Sequence, residues 1–279
     1  MPLYKPSELN HFLASIGVKP NKKLSQNFLI DGNVLRKIVR EAQIQPGDWV
    51  LEIGPGPGAL TEILLENGAN VVAIETDRTL ALSLSRLNID NRLQIVTKDA
   101  LKIPMEEIFS LLPSKPIKLL SNLPYHITTP LLTRFVCHSR EISMIFVMVQ
   151  EEMGKRMSAK AGTKDYGSIT VFLEFFAKVT YLFQVSRHCF YPSPKVDSAV
   201  IKLVPHPLPE GVNIETFFQM TRHAFQQRRK SIPKSLKDNF QKDKLIAALE
   251  SLNLSPLTRP EELSCEQWIS FYHLLLETK

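Results

Sequence analysis

Between residues 49 and 149 the apolar positions gather into five short runs: WVLEI (49–53), VVAIE (71–75), QIVTK (94–98), IKLLS (117–121) and MIFVMV (144–149). Each is too short for a helix and none alternates with polar residues, as expected of strands buried on both faces of a parallel sheet. Helical periods fill the gaps. ALTEILLENG follows the first run and is closed by Gly68. RTLALSLSRL follows the second, a short helical stretch the third, a helix from Pro130 to about His138 the fourth, and EEMGKRMSA the fifth. Upstream, Ser7 to Ile16 has helical spacing. IDGNVLRKIVREAQIQ (30–45) places Val34, Leu35, Ile38, Val39 and Ala42 on one face before Pro46-Gly47-Asp48 breaks it. Two later runs, VTYLFQV (179–185) and SAVIKLV (198–204), predict an antiparallel pair closing one sheet edge. At PHPLPEG (205–211) prolines concentrate, and helical sequence alone follows. The pattern predicts an α/β domain over 1–205 and a small helical domain over 206–279.

Composition narrows the class. The chain has 279 residues, 44% of them apolar, so it can bury a large core. Its net charge of +6 suits a polyanionic partner. Cys137, Cys189 and Cys265 are too far apart for a zinc spacing and odd in number, which predicts reduced thiols, no metal and a cytoplasmic setting. No signal-like start is evident, and MIFVMV is too short to cross a bilayer, so no membrane is expected.

The first strand runs into EIGPGPGAL and then a helix, where open α/β sheets bind nucleotide-bearing ligands. Gly54, Gly56 and Gly58 allow close backbone approach, and with Ala59 the loop also passes as a dinucleotide fingerprint. Glu75, about twenty residues on, suits ribose hydroxyls in either case. Pro55 and Pro57 each remove a backbone N–H that a pyrophosphate would want, which favours S-adenosylmethionine over NAD. Asp99 is placed to accept from an adenine amino group, or equally to cap a helix over LKIPMEE.

The fourth strand ends in SNLPYHITTP (121–130), which holds no nucleophile and no paired carboxylates. Methyl transfer from a sulfonium needs neither. An adenine amino nitrogen is a poor nucleophile because its lone pair is delocalised, and hydrogen-bond acceptors can aim it. The Asn122 side chain and the Leu123 carbonyl are such acceptors, and Tyr125 offers a ring on which an extruded base can stack, worth about 1–3 kcal/mol. Positioning of this kind can supply about 7–11 kcal/mol of a barrier. Taken alone, Asn-Leu-Pro-Tyr would be a strand-ending turn with Tyr125 in the core. Its place on the same rim as Gly54 and Glu75 points to a site.

Along nearly its whole length the chain resembles the KsgA-type ribosomal RNA adenine dimethyltransferases. The resemblance rests on SQNFLID (25–31), VLEIGPGPGALTEILL (50–65), VVAIETDR (71–78), KDAL (98–101), SNLPYHITTPLL (121–132), FVMVQEEMGKRM (146–157), YGSITVFLEF (166–175), FYPSPKVDSAVIKL (190–203) and AFQQRRKS (224–231). It implies a Rossmann-like S-adenosylmethionine-dependent methyltransferase domain with a small C-terminal all-helical RNA-binding domain. It further implies donor contacts at Gln26, Asn27, Leu29, Gly54, Gly56, Glu75, Asp99 and Asn122. Asn122, Leu123 and Tyr125 would hold the target base. Phe190, a core residue on its own evidence, would sandwich that base, and QNFLID would cover the donor. The expected reaction is dimethylation of two adjacent adenosines near the 3′ end of 16S ribosomal RNA by a monomer, within an assembling small ribosomal subunit. A nucleic-acid-binding factor on the same fold and a large-subunit resistance methylase are the alternatives. FYPSPKVDS, ITTPLL and the length favour the small-subunit branch. Pro233 and Lys234 depart from the family's regular helix, and KDAL lacks the glycine often found before the aspartate.

From Phe217 to Lys237 six basic residues (Arg222, Arg228, Arg229, Lys230, Lys234, Lys237) occur with no acidic one. A solvated face usually mixes signs, so this stripe, led by Arg222, Arg228, Arg229 and Lys230, is expected to contact RNA phosphates. Lys19, Lys22 and Lys23 form a second cluster near the expected cover.

Overall fold

The structure, a computed structural model, describes residues 3–20, 26–122 and 125–277. It divides into two compact units, Met1–Gly154 with Thr180–Pro205, and Lys155–Val179 with His206–Lys279.

The first unit opens with α1 (Pro6–Ser15), β1 (Phe28–Leu29) and α2 (Gly32–Glu41). The Asp31 side chain caps α2 by accepting from the amides of Asn33 and Val34. Four strand–helix repeats follow: β2 (Trp49–Ile53) and α3 (Ala59–Glu66), β3 (Asn70–Glu75) and α4 (Arg78–Ser83), β4 (Leu93–Thr97) and α5 (Met105–Ser110), β5 (Ile117–Asn122) and α6 (Thr128–Phe135). Strand β6 (Ile142–Gln150) completes the parallel set, and α7 (Glu151–Met157) and α8 (Ser168–Phe176) follow it. The chain then forms β7 (Ala177–Val185), β8 (Phe190–Tyr191) and β9 (Ser198–Pro205).

Seven strands form one sheet in the order β4-β3-β2-β5-β6-β9-β7. The first five are parallel and β9 runs antiparallel to β6. The predicted late strands are therefore neighbours at one edge. Val50, Leu51, Val71, Val72, Leu119 and Leu120 are all buried, because helices cover both faces of the sheet. The chain winds outward from β2 in both directions, so a crevice opens beyond the carboxyl ends of β2 and β5. Strands β1 and β8 pair apart from this sheet, with Leu29 opposite Phe190.

The second unit contains α8 and the C-terminal helices α9 (Ile214–Gln226), α10 (Ile232–Ser235), α11 (Lys242–Ser251) and α12 (Cys265–Glu277). One division between the units falls between Pro205 and His206, and 155–179, assigned above to the first domain, packs in this unit. The cause is aromatic packing: Phe172, Phe175 and Phe176 of α8 lie with ring centroids 4.7–5.7 Å from Phe217 or Phe218 of α9. Burying that surface outweighs chain proximity. Pro233 sits in the first turn of α10, where its missing N–H breaks no helical bond.

Candidate active site

The crevice holds a cavity of about 370 Å³, within the range of small-molecule sites. Nine predicted residues line it: Gln26, Asn27, Leu29, Gly54, Gly56, Glu75, Asp99, Asn122 and Tyr125. They come from five separate stretches, and the parallel sheet brings them to one rim.

The glycine amides of the loop are bonded within the protein. Gly54 N–H donates to the Ile74 carbonyl at 2.9 Å, and Gly58 N–H to the Pro55 carbonyl at 3.0 Å. Gly56 N–H donates to Glu75 Oε2 at 3.0 Å. Pro55 and Pro57 have no N–H to give. The amides of Gly54, Gly56 and Gly58 are thus committed within the protein, which leaves none of the three to a pyrophosphate and speaks against the dinucleotide reading. At Gly56 φ is +58°, and a Cβ there would lie 2.9 Å from Phe28 Cε1. Only glycine lets Phe28, itself a cavity-lining residue, lie against the loop.

Glu75 ends β3 and is buried, and its Oε1 accepts from Asp77 N–H at 2.9 Å. Burial pushes its carboxyl up from the usual range, against the pull of the amides that bind it. Asp99 follows β4 in a turn, with Oδ1 accepting from Leu101 N–H at 3.0 Å. The helical alternative for Asp99 is not realised, since Pro104 delays α5 to Met105. The turn is held from outside: the Arg134 guanidinium of α6 donates to the carbonyls of Ala100 (3.2 Å), Leu101 and Ile103. Lys98, also on the cavity wall, is paired with Glu107.

The acceptor corner is fixed by two neighbours. Ser121 Oγ donates to the Ile53 carbonyl, tying the end of β5 to the end of β2. Asn122 Nδ2 donates to the Asn27 carbonyl at 3.2 Å. A carbonyl can only accept, so this bond sets the amide's orientation and leaves Oδ1 as the acceptor on the other side. The Tyr125 hydroxyl shares a 2.7 Å bond with Ser198 Oγ, fixing the ring plane, and partial burial pushes its phenol up. Leu123 lies outside the described residues, as do Lys22 and Lys23.

Phe190 does not line the cavity. It is 2% exposed and belongs to the core cluster that includes Leu29, Met148 and Val200, side chains that do line it. Its strand partner is Leu29, so it supports the wall from behind. Of the basic stripe, Arg222, Arg229 and Lys230 are exposed. Arg228 is engaged within its own unit: it donates to the carbonyls of Lys164 (2.7 Å) and Thr163 (3.2 Å) and lies 3.6 Å from Glu261. The missing acidic partner comes from a distant stretch of sequence.

Sequence reasoning missed Phe28, Ser121, Ser198, Arg134 and Glu52. Only Glu52 left a signal, as an acidic residue inside an otherwise apolar strand. It lines the cavity, is buried, and accepts from Thr61 Oγ1 at 2.7 Å. Burial pushes its carboxyl up to about 8, with Glu75 adding repulsion.

A Rossmann-like sheet, a proline-punctuated loop closed on the buried Glu75 carboxyl and an oriented asparagine at the end of the neighbouring strand β5 fit an S-adenosylmethionine-dependent methyltransferase, the class to which this enzyme belongs. The family described as "Ribosomal RNA adenine dimethylase" matches residues 17–277, and the chain belongs to it. Ribosomal RNA small subunit methyltransferase A of Protochlamydia amoebophila is 49% identical over 100% of this chain and 99% of its own. Its counterpart from Chlamydia trachomatis is 50% identical over 96% of each chain. Among solved structures, a dimethyladenosine transferase from Plasmodium falciparum aligns with a TM-score of 0.75 at 28% identity, covering 90% of this chain and 96% of its own. The 23S rRNA methyltransferase ErmE aligns at 0.70 and 27%, covering 89% and 99%.

Proposed function

We propose that this chain dimethylates the exocyclic amino groups of two adjacent adenosines near the 3′ end of 16S ribosomal RNA. It acts as a monomer in the cytoplasm, on RNA held in an assembling small ribosomal subunit. The observation that carries the reading is the Asn122 amide, oriented by the Asn27 carbonyl so that Oδ1 is left as an acceptor at the cavity rim.

Bound in the cavity, S-adenosylmethionine supplies a methyl carbon on a sulfonium whose departure needs no acid. The residues do the rest. Glu75 faces the ribose hydroxyls, and Asp99 the adenine edge. Asn122 Oδ1 and the Leu123 carbonyl accept from the target amino group, drawing its lone pair out of conjugation and toward the carbon. Tyr125, held by Ser198, stacks the extruded base. Phe190 acts by backing the cavity wall. No side chain need remove a proton before transfer, because the alkylated nitrogen loses its proton readily to water.

Arg222, Arg229 and Lys230 hold RNA phosphates. The small-subunit target is supported over a 23S target by identities of 49–50% with small-subunit methyltransferases, against 27% with the 23S enzyme. The test supplies labelled donor with undermodified small subunits and digests the RNA for mass spectrometry. Label in two neighbouring dimethyladenosines is expected. Label in no nucleobase of these subunits, or label found only when large subunits carrying 23S RNA are supplied in parallel, overturns the reading.

A further inference from the structure

A donor seated as above has its ribose at Glu75, on β3, and its methyl group directed at Asn122, on β5. The sulfur is bonded to both the ribose C5′ and the methyl carbon, so it must lie between these strand ends, over the end of β2. That is the strand that carries Glu52, whose register partners are Ala73 of β3 and Leu120 of β5. Glu52 lines the same cavity, is 2% exposed, and has one protein hydrogen bond to its carboxyl, from Thr61 Oγ1 of α3. The charged groups sharing the cavity are Glu75 of β3 and, after β4, Asp99 and Lys98, with Lys98 paired to Glu107. Tyr125 is the remaining titratable group there. No cation among the described residues is placed to compensate Glu52.

We infer that Glu52 makes the site selective for the donor over its own product: it gives up a proton to solvent when the sulfonium enters and takes one back once the sulfide remains. The inference rests on the proposed methyltransferase reading. A buried carboxyl beside a second carboxyl stays protonated while the cavity lacks a cation. A sulfonium supplies that cation and stabilises the carboxylate. Methyl transfer turns the sulfonium into a neutral sulfide. The carboxylate is then uncompensated, recovers its proton from water, and the product loses an attraction the donor had. The acceptor nitrogen's proton leaves to water, so charge balances over the cycle. Burial supports the protonated starting state, with the carboxyl pushed up to about 8.

The test is titration calorimetry of the full chain and of Glu52→Gln, in buffers of differing ionisation enthalpy, with S-adenosylmethionine and with S-adenosylhomocysteine. Glutamine keeps the size and the Thr61 bond, and the ligand's own amino group contributes equally to both proteins. At pH 7 donor binding is expected to release about nine-tenths of a proton more from the wild type than from the variant, falling to about a tenth at pH 9. Product binding should show no such difference. Equal proton counts in the two proteins, or equal release with donor and product, overturn the inference and leave the methyltransferase reading standing. A wild type that binds neither ligand overturns both. If Glu52→Gln fails to fold, the wild-type difference between donor and product at pH 7 and 9 decides it.

Discussion

Asn122 makes one bond within the protein, and the proposed function assigns it a second; two substitutions separate them. Its Nδ2 donates to the Asn27 carbonyl at 3.2 Å, and the proposal has Oδ1 accept from the target amino group. Asn122→Ala removes both. Loss of a neutral bond in a half-buried site costs about 0.5–1.5 kcal/mol of stability. The bond lost in the transition state is stronger, because the amino nitrogen acquires positive charge, and bonds to charged groups contribute about 1.5–3 kcal/mol. At 1.36 kcal/mol per decade, kcat should fall about 10- to 150-fold. Donor affinity should stay within about tenfold, since Glu75, Asp99 and the glycine loop are untouched. Asn122→Asp keeps an acceptor but places a carboxylate oxygen against the Asn27 carbonyl. Its melting temperature should fall at least as far as that of Ala, while its kcat should fall less. Single-turnover methylation of undermodified subunits, with calorimetric donor affinities, measures both quantities. Full kcat in Asn122→Ala, or equal losses in Ala and Asp, would refute the aiming role and leave Asn122 a structural residue.

Gly56→Ala forces alanine to a φ of +58°, a cost of about 1–2 kcal/mol, and drives its Cβ into Phe28; thermal melts should show the loss, with donor KM raised and kcat little changed, and an unmoved KM would contradict the close approach. Joint replacement of Arg222, Arg229 and Lys230 by alanine should flatten the log–log salt dependence of RNA binding by about 2, at about 0.7 per phosphate contact; Arg228→Ala should leave that slope alone and lower stability, because its bonds to Lys164 and Thr163 are internal. Phe190→Ala should cost about 3–5 kcal/mol in denaturant unfolding, as befits a buried ring; a loss below about 1 kcal/mol with a raised RNA KM would restore it as a base contact. Glu52 is protonated in the folded chain up to about pH 8 but ionises near 4.5 when unfolded, so the folded state binds the extra proton between these values. Wild-type stability should therefore fall relative to Glu52→Gln as pH rises from 5 to 8, and a pH-independent gap in melting temperature would count against a buried neutral carboxyl.

The order of the sheet strands and of the helices between the parallel ones was legible because a sheet covered on both faces writes itself as unbroken apolar runs, with short shifts at the ends: α6 starts at Thr128 rather than Pro130, and α4 ends at Ser83; α8 and the two-residue strands β1 and β8 were not read. The rim was legible because glycines, prolines and strand-end polar residues sit where parallel topology must gather them. Less could be seen where a role depends on partners distant in sequence. Arg228 looked like a phosphate contact because Glu261, Thr163 and Lys164 lie far from it along the chain. Lys155–Val179 looked like part of the sheet domain because nothing local says that Phe175 will meet Phe217. Ser121 and Ser198 act through bonds to Ile53 and Tyr125, 68 and 73 positions away, and a lone serine carries no trace of such a partner.

The glycine loop keeps its shape without help from any ligand: its amides are satisfied by Ile74, Pro55 and Glu75. Replacing a spent donor with a fresh one therefore requires no refolding of the cradle between rounds. An enzyme that draws a fresh donor for every methyl it transfers gains from such a self-supporting socket, because the small molecule can come and go at little conformational cost.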